Sequence, residues 1–288
     1  MKNTLFMLGA ADPEMDHIAA ILKACGLTFA FARNGKERVS PHTAYTADLP
    51  DLSNVGRLVC VECRPMFLQT GPSLELVVID HHREGDPGYD LGATQYWEAS
   101  SLGQLIQFLQ TEMPDVFAKF DFASAEVKLH HIAAADHCLA VAYKGKCPGI
   151  DVDRLHRLVV NNIAEATGIR IGVVKLLIWS YARILKKART ISMGDVRVSD
   201  MTSEYLGEGG YTPEYLALRT AAMSSRRIYL CKYRDAPSES REKIMLNGDA
   251  SPRVIEHFMK VWAPAHGLVD IYGVPKRGYA AGSFPFPS

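Results

Sequence analysis

Four short apolar runs dominate the first eighty residues. TLFMLG (4–9), TFAFAR (28–33), RLVCVE (57–62) and ELVVID (75–80) are rich in aliphatic, β-branched and aromatic residues and are too short for helices. They predict strands. The fourth is a nearly continuous apolar run, as expected of a strand buried in a parallel sheet. Between the first two, residues 13–25 place Ile18, Ile21, Leu22 and Cys25 on one helical face, with Asp12 as a plausible N-cap. A second helix runs through SLGQLIQFL, capped by Ser100 or Ser101. A third spans about 123–143 and is rich in alanine. Strands alternating with helices imply βαβ units: an α/β protein with a mostly parallel, doubly wound sheet and helices on both faces.

Gly and Pro in KGKCPGIDVD (144–153) mark a boundary, and a helical region follows over about 152–188. The pattern then changes. Residues 212–223 predict a helix with Thr212 as N-cap and Pro213 at its first position. Residues 227–233, 241–248 and 267–275 predict strands, 251–262 a helix, and SFPFPS an extended tail. The expected division is a first domain over 1–148, a helical connector over 149–190, and a smaller C-terminal α+β domain over 191–288.

Composition narrows the function classes. The 288 residues are 48% hydrophobic, and 32 Lys+Arg balance 32 Asp+Glu. No global excess of positive charge favours long duplex nucleic acid, although local basic patches suffice for a small phosphate-bearing ligand. No apolar run reaches membrane-spanning length. The N-terminal segment turns acidic at once and lacks a cleavage pattern, so no signal peptide is expected and a cytoplasmic location is. The six cysteines are then expected as reduced thiols. Cys60 and Cys63 form an isolated C-x-x-C, because Cys138 and Cys147 are spaced too widely to complete a zinc ribbon.

The chemistry sits at the strand ends. Asp12, Glu14 and Asp16 follow the first strand, Glu62 closes the third, and Asp80, His81 and His82 close the fourth. Ligands of open α/β sheets gather at these carboxyl ends. Asp136 interrupts an apolar helical stretch, and a buried acid calls for a counter-charge or a metal. Several carboxylates with imidazoles suit hard or borderline divalent cations. The competing reading of Asp80-His81-His82 is a turn followed by two surface histidines.

On these residues the chain resembles the DHH phosphoesterases, whose naming motif is read here as Asp80-His81-His82. Gly9-Ala10-Ala11-Asp12-Pro13-Glu14-Met15-Asp16-His17 is similar to the family's G-H-x-N-P-D-x-D-A, and WEASSLGQL (97–105) to the capped helix after its DHH motif. Arg277-Gly278-Tyr279-Ala280-Ala281-Gly282 resembles the end of its C-terminal glycine-rich motif. The resemblance implies a metal-dependent phosphoric ester hydrolase using two ions, Mn²⁺ or else Mg²⁺ or Co²⁺, to activate a water. Glu14, Asp16, Glu62, His81 and Asp136 would be ligands, with Asp12 or His17 standing in where the family's histidine is Ala10. His82 would contact phosphate or protonate the leaving group, and Asp80 would orient a ligating imidazole. Glu14 and Glu62 depart from the family's aspartates by one methylene.

Substrate contacts are expected from Arg64, His130, Lys276, Arg277 and Gly278. Arg64 is equally readable as a surface ion pair, and His130 as a satisfied helix histidine. The implied substrate is small: a short oligonucleotide, nucleotide or cyclic dinucleotide, held between the two domains. Inorganic pyrophosphate is the runner-up. A rival reading keeps the fold but only binds nucleotides, and another uses Cys60 and Cys63 with zinc. The sequence leaves a homodimer open.

Overall fold

The structure is a computed structural model and describes residues 3–41, 43–68, 74–204, 206, 212–234 and 242–285. It divides into two compact units, 1–138 with 145–151, and 139–144 with 152–288.

In the first unit, β1 (Thr4–Leu8), α1 (Pro13–Ala24) and β2 (Phe29–Phe31) are followed by a small hairpin, β3 (Arg33–Asn34) and β4 (Glu37–Arg38). Then come β5 (Arg57–Val61), β6 (Glu75–Ile79), α2 (Tyr96–Ala99), α3 (Ser101–Glu112), α4 (Pro114–Phe117) and α5 (Phe122–His137). The sheet order is β2-β1-β5-β6, all parallel, so every strand delivers its carboxyl end to the same edge. β1 and β5 are neighbours with β2 on the far side of β1, which makes their shared end the topological switch point.

Side-chain alternation splits the strands between two packings. Phe6 meets Phe108 of α3 edge-on at 6.0 Å. Met7, Leu58 and Cys60 instead pack on Ala32, Val39, Ala44 and Ala47, from the segment between β2 and β5, and on Cys63 just after β5. The helix expected over 123–143 ends at His137, because Cys138 leaves helical geometry (φ −144°, ψ 37°).

The second unit contains α6 (Leu139–Ala142), α7 (Val152–Thr167) and α8 (Ile171–Lys187), the last two separated at Gly168, whose φ of +69° ends the first. β7 (Thr190–Met193) and β8 (Val196–Met201) form a hairpin that the hydrophobic pattern did not predict, turning at Gly194 (φ +65°). α9 (Pro213–Ser224) has Thr212 as its N-cap, accepting from Tyr215 N at 3.2 Å. β9 (Ile228–Tyr233), β10 (Lys243–Gly248) and α10 (Pro252–His257) follow. A π-helical turn (Phe258–Trp262) joins α10 to α11 (Ala263–Ala265), and β11 (Val269–Val274) and β12 (Tyr279–Ser283) complete the unit. The six-stranded sheet runs β11-β12-β10-β9-β8-β7 and is mixed, with only the β8–β9 pair parallel. Its core contains Val198, Leu230, Ile244, Leu246, Ile255 and Phe258. Among the described residues no helix is long and apolar enough to cross a membrane.

Candidate metal centre

The turn after β1 is shaped by close backbone approach. Gly9 N donates to Val61 O at 2.9 Å, and a Cβ on Gly9 would lie 2.4 Å from Glu62 O. Glu62 itself has φ +49°, a left-handed conformation disfavoured for a non-glycine residue. The fold thus bends the chain sharply at the end of β5 and leaves room for it only because residue 9 has no side chain. Gly9→Ala is expected to cost on the order of 1–3 kcal/mol of stability, measurable by denaturant unfolding. An unchanged midpoint would show that the two turns are not interlocked.

From Gly9 the chain enters α1. Asp12 caps it, accepting from Met15 N at 2.7 Å, with Pro13 at the first position. Glu14 is carried into the interior. One of its oxygens, Oε1, accepts from Leu102 N in the first turn of α3 at 3.1 Å, where unpaired N–H groups favour an anion.

Asp80 ends β6 and is fully buried. Its Oδ1 accepts from His81 N (2.7 Å), His82 N (3.0 Å) and His82 Nδ1 (2.9 Å), and its Oδ2 from the Tyr45 hydroxyl (2.9 Å). Burial raises its pKa, but the hydrogen bond and charge of His82, with the other bonds, outweigh burial and hold the carboxyl below its ordinary value. The imidazole that Asp80 fixes is therefore that of His82, whose ring stacks on His81 at 4.3 Å. Gln104 of α3 ties this turn down, accepting from Asp80 N and donating to Asp80 O.

These turns bring Glu14, Glu62, His81 and Asp136 together, with one donor atom from each lying within 4.8 Å of all the others. His81 Nε2 is 3.2 Å from Asp136 Oδ2. A second, overlapping group is Glu62, His81 and His82. Glu14 and Glu62 are 2% and 7% exposed, which is exceptional for carboxylates without a cationic partner. Glu14 Oε2 and Glu62 Oε1 are buried and make no hydrogen bond among the described residues. Burial, followed by the charge of Asp136, raises Glu62 to about 7, while His82 and the nearby Ser101 hydroxyl pull the other way. Burial and the same neighbouring acids raise Glu14 and Asp12 well above their ordinary values. Three mutually repelling carboxylates, two with buried unbonded oxygens, and an imidazole form a donor set suited to a divalent cation.

No protein-family model and no curated protein matches the chain. Among solved structures, the chain is similar to a pGpG-specific phosphodiesterase, PggH from Vibrio cholerae, at 11% identity. The match covers 99% of this chain and 93% of that one, with a TM-score of 0.33, too low to carry any inference about activity.

The other expected residues are placed differently. Asp12 lies outside the four-residue group but close enough for its charge to bear on Glu62 and Asp136. Asp16 is exposed: two residues beyond Glu14 is about 200° around a helix, so it faces away from the cluster. His17 binds Pro13 O through Nδ1 at 2.8 Å. Arg64 pairs with Asp86 at 2.8 Å. His130 is taken up by the Tyr96 hydroxyl (2.8 Å) and stacks on Trp97 at 4.0 Å, the arrangement of a satisfied helix histidine. Lys276 and Gly278 lie on the turn between β11 and β12, where Gly278 has φ +76°, and the Arg277 side chain lies outside the described part. Cys60 and Cys63 are fully buried, with Cys63 donating to Met7 O at 3.3 Å, and neither belongs to a cation-binding group among the described residues.

Four contributors escaped the sequence reading. Arg38 donates to Gly9 O and Ala10 O, both at 3.0 Å, and so braces the turn that leads to Glu14. Tyr45 holds Asp80, and Gln104 the backbone around it. His137 meets His81 edge-on at 5.3 Å. Gln104 and His137 stood in periodic elements; Arg38 and Tyr45 belong to the segment after β2, which has no periodicity.

Proposed function

We propose that the chain is a divalent-metal-dependent phosphoric ester hydrolase acting on a small nucleotide-type substrate. The observation that carries this reading is the group of Glu14, Glu62, His81 and Asp136, in which Glu14 Oε2 and Glu62 Oε1 are buried without a hydrogen bond and the repulsion among the acids is one a cation would relieve. These four residues would hold the ion, with Mn²⁺ suited to mixed carboxylate and imidazole donors. The family resemblance implies two ions. Ala10 offers no donor and Asp16 is exposed, so the described residues furnish one four-donor set and a three-donor group that shares Glu62 and His81 with it.

A bound divalent cation supplies Lewis-acid stabilisation of phosphoryl oxygens and lowers the pKa of water. The chain's own groups do the rest. Asp80 accepts from His82 Nδ1, and the His82 side chain is 37% exposed. His82 is then placed to donate a proton to the departing oxygen, with Asp80 stabilising its charged form. Glu62, strained and buried, contributes a carboxylate that ionises fully only above about pH 7, or when a cation displaces its proton.

A second reading has a specific observation behind it. Two donor groups that share Glu62 and His81, instead of two separate sets, suit a nucleotide-binding protein that has lost turnover. Hydrolysis of bis-p-nitrophenyl phosphate with added Mn²⁺ separates the two. Turnover that falls about 100- to 10,000-fold in His82→Ala is the expected result. No turnover with Mn²⁺, Mg²⁺ or Co²⁺, together with tight nucleotide binding, would replace the hydrolase by the binder.

A further inference from the structure

Cys138 and Cys147 stand where the chain leaves the first unit and returns to it. Cys138 caps α5, its N–H donating to Ala134 O at 3.1 Å. The next six residues, Leu139–Lys144, belong to the second unit, and Gly145–Asp151 to the first again. Both cysteines are free thiols, and their sulfurs are 2.9 Å apart. A disulfide requires about 2.05 Å, so bond formation needs the two sulfurs to approach by less than about 1 Å. Access is asymmetric. Cys147 is 4% exposed, whereas Cys138 is partly open, so a small reagent meets Cys138 first while Cys147 waits beside it.

We propose that Cys138 and Cys147 are a redox modification site, forming a reversible intramolecular disulfide with a low-molecular-weight disulfide as oxidant. The Cys138 sulfur, giving up its proton, attacks one sulfur of the oxidant. The oxidant's S–S bond breaks, and one small thiol leaves with a proton. The Cys147 sulfur, giving up its proton, then attacks the Cys138 sulfur and expels the second small thiol. Two protein thiols are oxidised by two electrons, and the oxidant is reduced to two thiols. The new bond closes a ring from 138 to 147 around α6 and secures the end of α5, two residues beyond Asp136. Neither cysteine belongs to the candidate metal cluster, so this inference stands apart from the proposed hydrolase activity.

The test uses the full-length reduced protein incubated with excess oxidised glutathione, acid-quenched, denatured and alkylated. Two of the six thiols are expected to be lost, with a peptide cross-link joining Cys138 to Cys147 that dithiothreitol reverses. Cys138→Ser and Cys147→Ser should each abolish it, and Cys60→Ser should not. Retention of all six thiols, a glutathione adduct persisting on Cys138, or a cross-link joining Cys60 and Cys63 would overturn the proposal. Mapping of the wild-type protein decides the matter even if a variant fails to fold.

Discussion

Glu62→Gln is expected to stabilise the metal-free protein at pH 8 and to remove its response to Mn²⁺. In the folded chain the Glu62 carboxyl is raised from its ordinary 4.5 to about 7, chiefly by burial and then by Asp136. Between those values the folded state holds a proton that the unfolded chain has released, so stability falls as pH rises through the window. Above about pH 7 the whole penalty applies, on the order of 3 kcal/mol. Glutamine removes the charge, while the burial of its amide returns on the order of 1 kcal/mol of cost. Glu14 and Asp12, raised by the same causes, push the wild-type pH dependence in the same direction.

A cation reverses this balance. Mn²⁺ at about 100 times its dissociation constant adds roughly 2.7 kcal/mol to the wild type, and chelation takes it away. Thermal unfolding at pH 5 and pH 8, with and without Mn²⁺, tests both halves. The metal-free wild type should be more stable at pH 5, and the variant should exceed it only at pH 8. A variant less stable than wild type at pH 8 without metal, or one still stabilised by Mn²⁺, would contradict the assigned role of Glu62.

Asp80→Ala is expected to destabilise the fold by about 3–5 kcal/mol and to abolish hydrolysis. Four donor contacts converge on this one buried carboxylate, and its removal leaves the Tyr45 hydroxyl and the N–H groups of His81 and His82 without their acceptor. Because the folded pKa of Asp80 lies below its ordinary 3.8, its contribution is present in full above that value and is lost as pH falls through the folded one. The stability gap between wild type and variant should be complete at pH 5 and shrink below 3.8. Asp80→Asn, which keeps an acceptor oxygen, should retain part of the stability but lose orientation of His82, a positioning effect of about 10- to 100-fold in rate. A gap that persists unchanged into acid would mean that Asp80 supports the fold by packing alone.

The legible part of this molecule was its strand ends. Short apolar runs with acids or histidines at their carboxyl ends implied that Glu62 and His81 share a sheet edge, and β5 and β6 lie side by side as that requires. Asp136 was recognisable because an acid within an alanine-rich helical face must answer to something. Asp16, expected as a ligand from the family pattern, is exposed and outside the four-residue group, since helical geometry turns residue 16 away from residue 14. His137, the neighbour of Asp136 on α5, meets His81, since helical angle does not tell where a neighbouring strand end will lie. Arg38 and Tyr45 sit in a hairpin and loop with no periodicity, and their partners, the backbone of Gly9 and Ala10 and the carboxylate of Asp80, are distant in sequence. The β7–β8 hairpin was missed because its short strands follow directly on the basic end of α8 and turn on Gly194.

The account stands on a cation among Glu14, Glu62, His81 and Asp136. Anomalous diffraction at the manganese edge from crystals soaked in Mn²⁺ tests this most directly. A peak within about 2.5 Å of carboxylate oxygens of Glu62 and Asp136 and of a His81 ring nitrogen is the predicted result. Full soaking with no peak there, or with manganese only at surface carboxylates such as Asp16, would contradict it.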